Sequence, residues 1–372
     1  MAIDWTIDRR GLFSGATAAL LGGIVAFKRG ARAKEAPPKV SLVSAARVGE
    51  IDGGALIGAD GFTGFSLPGR AHAITRLPWG EVVLIGRRPG AFAAFVNPRD
   101  PDADVRLFAP EPGHRFAGHA ALSPDGRTLA TSEIDAETGT GSVVLRDARS
   151  GAPRAMFPAG IEPHDLLFAR GGSRLVVAIG GIARAADVKG PAINAGNIES
   201  AILEMDPNTG AVLKRHELPA DMKSLSLRHM ALAPDGETIA LGMQDQDRSE
   251  MRPLMGCLRV GGGIELLPLP ADDEGQLRAY IGSVAVDSSG RYVAATSPKG
   301  GVVGLWSLID GNWLGAFAAA DVCGLAPDQA PACFWASSGL GDVVQLRASE
   351  AGFAAEAHWQ AAAAFDNHLL RI

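Results

Sequence analysis

Five of the eight histidines of this 372-residue sequence occupy the same position in a repeated pattern. His119, His164 and His229 each stand seven residues before a turn glycine, and His72 stands eight before one. His368 opens an Asn-His-Leu-Leu segment that matches the Arg-His-Met-Ala segment around His229. Imidazole is a common protein ligand for zinc, copper, iron and nickel ions. The repetition therefore predicts a metal site formed by His72, His119, His164, His229 and His368.

Charged residues near these histidines are expected to complete the site. Glu133, Asp165, Arg228 and Asp366 stand beside the histidines or at strand ends that reach the same face, and we expect them to bind a ligand. Metal–nitrogen bonds are only about 2 Å long, so a full ring of histidines cannot bind one ion. Either two to four of them act with a carboxylate, or several metals fill the space. A structural alternative is that each histidine caps a neighbouring loop and was copied by duplication.

The elements that position these residues are repeated hairpins. Short strands meet at Pro-Asp-Gly or similar turns, which are strong hairpin signals, and the turn glycines 80, 126 and 172 are 46 residues apart. Third and fourth strands follow most hairpins, which is typical of a β-propeller blade. Residues Val40–Leu67 supply three outer strands, and Phe365–Ile372 supply an innermost one. The predicted fold is all-β, a seven-bladed β-propeller closed by pairing of the N- and C-terminal strands.

Composition excludes several classes of protein. Hydrophobic residues make up 47% of the chain, which is too many for a disordered protein, and three cysteines are too few for a disulfide scaffold. The net charge of −6 argues against a nucleic-acid partner. A disulfide between Cys323 and Cys333 remains open, because the two flank one hairpin turn.

The N-terminal segment has the features of an export signal. Arg9-Arg10 precede an uncharged stretch at 11–27, and Ala31-Arg32-Ala33 resembles a cleavage site. We expect a twin-arginine signal peptide at 1–33, which places the propeller domain, 34–372, in the periplasm. An uncleaved anchor is the alternative. After cleavage we expect a monomer with no stable membrane anchor.

Longer segments such as Phe-Ala-Gly-His at 116–119 and Asp-Asn-His-Leu-Leu-Arg at 366–371 are spread along the chain, and together these segments resemble the DUF1513 family of exported bacterial proteins. More distantly, the chain is similar to YVTN-type and lactonase-type propellers. The resemblance implies a seven-bladed propeller that handles iron or copper in the periplasm, with imelysin-like or di-haem peroxidase-like proteins as partners. It supplies no catalytic residue. The segments that carry it are Phe116–His119, Ser123–Gly126, Thr131–Glu133, Gly160–Asp165, Leu225–His229, Tyr280–Ser283, Asp321–Ala326 and Asp366–Arg371.

The sequence favours a metal-handling binding protein over an enzyme, with an iron or copper ion as the cofactor. No nucleophile elbow, zinc-protease helix, phosphate loop or haem-attachment motif is present. Two alternatives remain open. One is an enzyme of lactonase or dehydrogenase type, with Glu133 or a histidine as acid or base. The other is a scaffold that docks a protein partner.

Overall fold

A computed structural model describes residues 37–100, 103–184, 194, 197–271 and 273–372. These residues form β-strands and three short 3-10 helices. No helix among them is long and apolar enough to cross a membrane. The predicted signal peptide, 1–33, lies outside the described residues, so it and the domain boundary at residue 34 stay predictions.

Short strands follow one another along the described residues, with brief 3-10 helices between some of them. In chain order, the strands are β1 (Leu42–Val48), β2 (Ile51–Gly58), β3 (Gly61–Ser66), β4 (Ala71–Arg76), β5 (Val82–Gly86), β6 (Ala93–Val96), β7 (Arg106–Phe108), β8 (His114–Leu122), β9 (Thr128–Asp135), β10 (Thr140–Asp147), β11 (Pro153–Ile161), β12 (Pro163–Ala169), β13 (Arg174–Ile179), β14 (Ala201–Met205), β15 (Val212–Glu217), β16 (Leu225–Leu232), β17 (Thr238–Asp245), β18 (Met255–Arg259), β19 (Ile264–Leu267), β20 (Ser283–Val286), β21 (Tyr292–Ser297), β22 (Val302–Ser307), β23 (Trp313–Ala318), β24 (Val322–Pro327), β25 (Cys333–Ser338), β26 (Asp342–Ser349), β27 (Gly352–Gln360) and β28 (Ala364–Arg371). The 3-10 helices are Arg170–Gly172, Ala220–Met222 and Glu274–Leu277.

The strands form seven antiparallel sheets of four strands, which are the blades of a β-propeller. Blades 1 to 6 each take four consecutive strands, from β4–β7 through β24–β27. Blade 7 has the order β28-β1-β2-β3, and Leu42 of β1 lies opposite Arg371 of β28. The predicted fold class is therefore confirmed, including its closure by the two chain ends. Pairing the ends leaves the ring without an open sheet edge between its first and last blades.

Local sequence explains the hairpins at which the blades begin. In the Ser123–Arg127 turn, Asp125 accepts hydrogen bonds from the Ser123 hydroxyl and the Arg127 amide. Gly126 has a φ of +72°, a conformation that glycine adopts without strain. In the Asp235-Gly236 turn of blade 4, Asp235 likewise accepts from the Glu237 amide and Gly236 has a φ of +72°, although Ala233 replaces the serine. Aspartate–amide bonds of this kind fix the turn and thereby the register of the strands on either side.

The core lies between the blades. Apolar side chains from neighbouring sheets interlock, such as Leu129 of blade 2 with Phe95 of blade 1. The first strands of the blades (β4, β8, β12, β16, β20, β24 and β28) contact one another in circular order around the central axis. This ring of first strands carries the candidate site.

The cysteines of blade 6 are far apart in the hairpin that contains them. Val322 lies opposite Ser338 and Pro327 lies opposite Phe334, so Cys323 and Cys333 stand at opposite ends of the paired strands. At 3.3 Å rise per residue, the two are separated by about 16 Å along the sheet. Both are free thiols, and the Cys323 Sγ lies 3.3 Å from the Phe365 carbonyl oxygen. The Cys323–Cys333 disulfide that the sequence left open is therefore not formed.

Candidate functional site

The structure brings the five predicted histidines together in the central channel. The ring centroids of His72 and His368 are 4.7 Å apart, and those of His119 and His164 are 4.8 Å apart. The ring centroids of His72 and His229 are 6.5 Å apart. Four of the residues are buried, and His368 is partly buried. The sequence predicts a ring around an open channel mouth, whereas the structure shows a compact, largely buried group, which we call the histidine cluster.

Irregular pairing in the first strands aims the histidines into the channel. The register between β4 and β5 shifts between Ala71 and Ile74, where His72 lies. Comparable shifts occur beside His119 in β8, His164 in β12, His229 in β16 and His368 in β28. A β-bulge turns a side chain away from the sheet face it would otherwise occupy. Blade 6 has a similar shift beside Cys323 in β24. Because the five blades that carry the histidines are consecutive around the ring, their histidines meet.

Gly118 makes room for one of these rings. Its φ is +111°, and a Cβ added there would lie 3.0 Å from the His72 Cδ2 atom. This glycine therefore serves both the bulge of β8 and the close approach of His72 to the neighbouring blade.

Two carboxylates orient two of the histidines. The His72 Nδ1 lies 3.1 Å from Asp366 Oδ1, and the His119 Nδ1 lies 3.2 Å from Asp165 Oδ1. An ionised carboxylate can only accept, so we assign the proton of each ring to Nδ1 and the lone pair to Nε2. The His119 and His368 Nε2 atoms are buried and have no hydrogen-bond partner among the described residues. Carboxylate–histidine pairs of this kind are typical of metal sites.

Two groups of three histidines have metal-ligand spacing. His72, His119 and His368 form one group, and His119, His164 and His229 form the other. In each group, one nitrogen per ring lies within 4.8 Å of the other two. The groups share His119, so one ion would use one group or the other.

Burial keeps four histidines of the cluster uncharged at neutral pH. It lowers the pKa of His72 to about 4, although Asp366 opposes this effect. Burial also lowers the pKa of His164, His229 and His368 well below the usual value, and repulsion by the Arg228 cation adds to this effect for His164 and His229. Neutral imidazole is the form that binds a metal ion, so no proton needs to leave these rings at pH 7.

A buried ion-pair group borders the cluster. Arg228 donates to Glu162 Oε1 at 2.9 Å and to His164 Nδ1 at 3.0 Å. Arg88 also contacts Glu162 Oε1. Burial, reinforced by repulsion from Arg228, lowers the pKa of Arg88 to about 9. Arg88 is not among the residues predicted from the sequence, where the available signal is its place in Arg87-Arg88-Pro89, directly after β5.

The remaining predicted ligand residues lie in different places. Asp366 and Asp165 face the cluster as described, and Asp366 also accepts a bond from Arg70 at 2.5 Å. Glu133 is fully buried, but its carboxylate accepts from Arg146, the Thr131 hydroxyl and the Glu111 amide. Because side chains alternate along β9, Glu133 shares the sheet face of Thr131, whereas the Ser132 hydroxyl reaches the His164 carbonyl. Glu133 therefore lies between blades 1 and 2 rather than at the channel mouth.

The comparisons with known proteins agree with this architecture. Residues 65–372 match the family described as "Protein of unknown function (DUF1513)". The chain belongs to this family. A search of curated proteins found no match.

Among solved structures, this DUF1513 chain is similar to a chain of Kuenenia stuttgartiensis hydrazine synthase, with a TM-score of 0.55, 17% identity and 74% and 75% coverage of the two chains. It is also similar to a chain of the mitotic checkpoint complex, with a TM-score of 0.57, 12% identity and 78% and 79% coverage. At these identities the likeness concerns the propeller fold alone.

Proposed function

We propose that this protein binds one transition-metal ion in the histidine cluster and acts in metal handling. The observation that carries the proposal is the set of converging imidazoles, of which two are oriented by carboxylates and three have a buried ring nitrogen without a partner among the described residues. Burying a polar nitrogen without a partner is unfavourable. A metal ion would use those lone pairs, which a purely structural cluster leaves unused.

The group of His72, His119 and His368 is the better of the two candidate triads. Two of its members have Nε2 atoms with no partner in the described part of the chain, and the third is oriented by Asp366. The other group also has two nitrogens without a partner among the described residues, His119 Nε2 and His229 Nδ1, but the Nδ1 of its third member, His164, already accepts from Arg228. Three imidazoles leave one position of a tetrahedral metal open, which suits exchange of an ion or of a further ligand.

We propose iron or copper as the ion and the periplasm as the place of action. Imidazole ligands suit both metals, and copper(II) forms the tightest complexes among the divalent ions of the first transition row. The twin-arginine-like segment at residues 9–33 supports export. An imelysin-like or di-haem peroxidase-like protein would be the partner that supplies or receives the metal.

Equilibrium dialysis against copper(II), iron(II) and zinc(II), followed by elemental analysis, tests the proposal. Wild-type protein is expected to retain about one ion per chain, and His119→Leu is expected to lose it, because His119 belongs to both triads. His216→Gln is the matched control, since buried His216 pairs with Glu204 at 2.8 Å in blade 3, outside the channel. Equal metal content in wild type and His119→Leu would reject the proposal.

A further inference from the structure

We propose that the metal in the histidine cluster carries a small anionic oxygen ligand of the carboxylate class. His164 donates a hydrogen bond to this ligand, and the positive charge of Arg228 stabilises it. This inference rests on the proposed metal site. It assigns His164 a role different from that of His72, His119 and His368, and it names the chemistry of the ligand exchanged at the open metal position.

The hydrogen bond between Arg228 and His164 defines the tautomer of His164. A guanidinium group has only donors, so the His164 Nδ1, 3.0 Å from it, must present its lone pair. The proton of the neutral ring is then on Nε2. In this state neither nitrogen is left for a metal ion, and the Nε2–H is a donor. His164 is therefore a hydrogen-bond donor of the cluster rather than a metal ligand.

The charge around His164 favours an anion. Two cationic side chains, Arg228 and Arg88, both pair with the carboxylate of Glu162, whereas the neighbouring Asp165 carboxylate pairs with His119. The Arg228 side chain is 5% exposed, and its Nε has no hydrogen-bond partner among the described residues. A surplus positive charge away from water is costly unless a counter-charge joins it. An anion bound here would supply that counter-charge.

The same side of the cluster adjoins the metal triad. The His164 ring lies 4.8 Å from that of His119 and 6.4 Å from that of His72, both members of the triad. An oxygen bound to the metal on this side is within reach of the His164 N–H. A carboxylate can bind the metal through one oxygen and accept a hydrogen bond from His164 through either oxygen.

The test is a formate titration of the copper(II)-loaded protein, followed by electron paramagnetic resonance and visible absorption, with chloride at equal ionic strength as the control. Formate is expected to shift the copper signals of the wild type. His164→Leu is expected to bind copper normally. It is expected to bind formate at least about tenfold more weakly, because it loses one charge-assisted hydrogen bond. His164→Gln, whose amide can accept from Arg228 and donate to the anion, is expected to restore formate binding.

The outcomes separate this inference from the proposed function. If wild-type protein retains no metal in dialysis, both are rejected. If the wild type retains copper and formate leaves its spectra unchanged, this inference alone is rejected. This inference is also rejected if His164→Leu and His164→Gln both lose copper, because His164 would then be a metal ligand. It is rejected as well if both variants bind formate as tightly as the wild type does.

Discussion

The Nδ1 of His72, in the first strand of blade 1, lies 3.1 Å from Oδ1 of Asp366, in the last strand of the chain. Asp366 precedes His368 by two residues, so one short segment orients one member of the triad and supplies another. The strand that closes the propeller therefore also completes the candidate metal site. The ring and the candidate site therefore both depend on this strand.

Asp366→Asn should weaken metal binding without abolishing it. The amide keeps the shape of the carboxylate but removes the charge that fixes the proton on His72 Nδ1. Changes of this kind typically cost about 10–100-fold in metal affinity, which a competition titration with a chelator measures. Asp342→Asn, which alters a half-buried His358–Asp342 pair on outer strands, is the control and should leave the affinity unchanged. Equal affinities for Asp366→Asn and wild type would contradict the assigned role.

The metal-free protein should lose stability as the pH falls through the window from about 6.5 to about 4. The pKa of His72 is about 4 in the folded state, against 6.5 for an unperturbed histidine, so the unfolded chain binds more protons in this range. His72 alone accounts for about 3 kcal/mol of that loss. Urea unfolding at several pH values measures it.

His72→Gln is the comparison for this pH effect. It should reduce the pH dependence of the unfolding free energy, although His164, His229 and His368 still contribute. An identical pH profile for the two proteins would contradict the buried, neutral state of His72.

Gly118→Ala should disturb the site more than an equivalent change in a turn. The added Cβ meets the His72 ring at 3.0 Å, and φ at this position is +111°. Gly236→Ala, at φ +72° with no atom near the added Cβ, imposes comparable backbone strain away from the cluster. Both variants should lose about 1 kcal/mol or more of stability. Metal affinity should fall in Gly118→Ala alone, and equal affinities would contradict the close packing of His72 on β8.

Glu133→Gln should reduce stability and leave metal binding intact. The substitution removes one charge from the buried Arg146–Glu133 pair, although Arg146 keeps its contact with Glu111. Removing one partner of a buried pair costs about 3 kcal/mol. Thermal unfolding and metal content of the same samples give both quantities. Loss of metal with unchanged stability would contradict this prediction and would indicate that Glu133 belongs to the metal site.

The sequence predicts the fold and the convergence of the histidines because both follow from the repeat. Counting back from the turns aligns His119, His164 and His229, and the unpaired segments at the two ends require closure. It does not predict the bulges, which depend on contacts between blades. Side-chain direction therefore could not be predicted: Glu133 was expected at the channel mouth, whereas the alternation along β9 turns it towards Arg146. The role of Arg88 depends on the same long-range packing.

X-ray absorption at the metal edge of the copper-loaded protein tests the central claim, metal binding by the histidine cluster, most directly. Three imidazole nitrogens and one oxygen are expected around the ion, with the imidazole scattering lost in His119→Leu. A first shell composed only of oxygen, or an imidazole signal that survives in His119→Leu, would contradict binding in the histidine cluster.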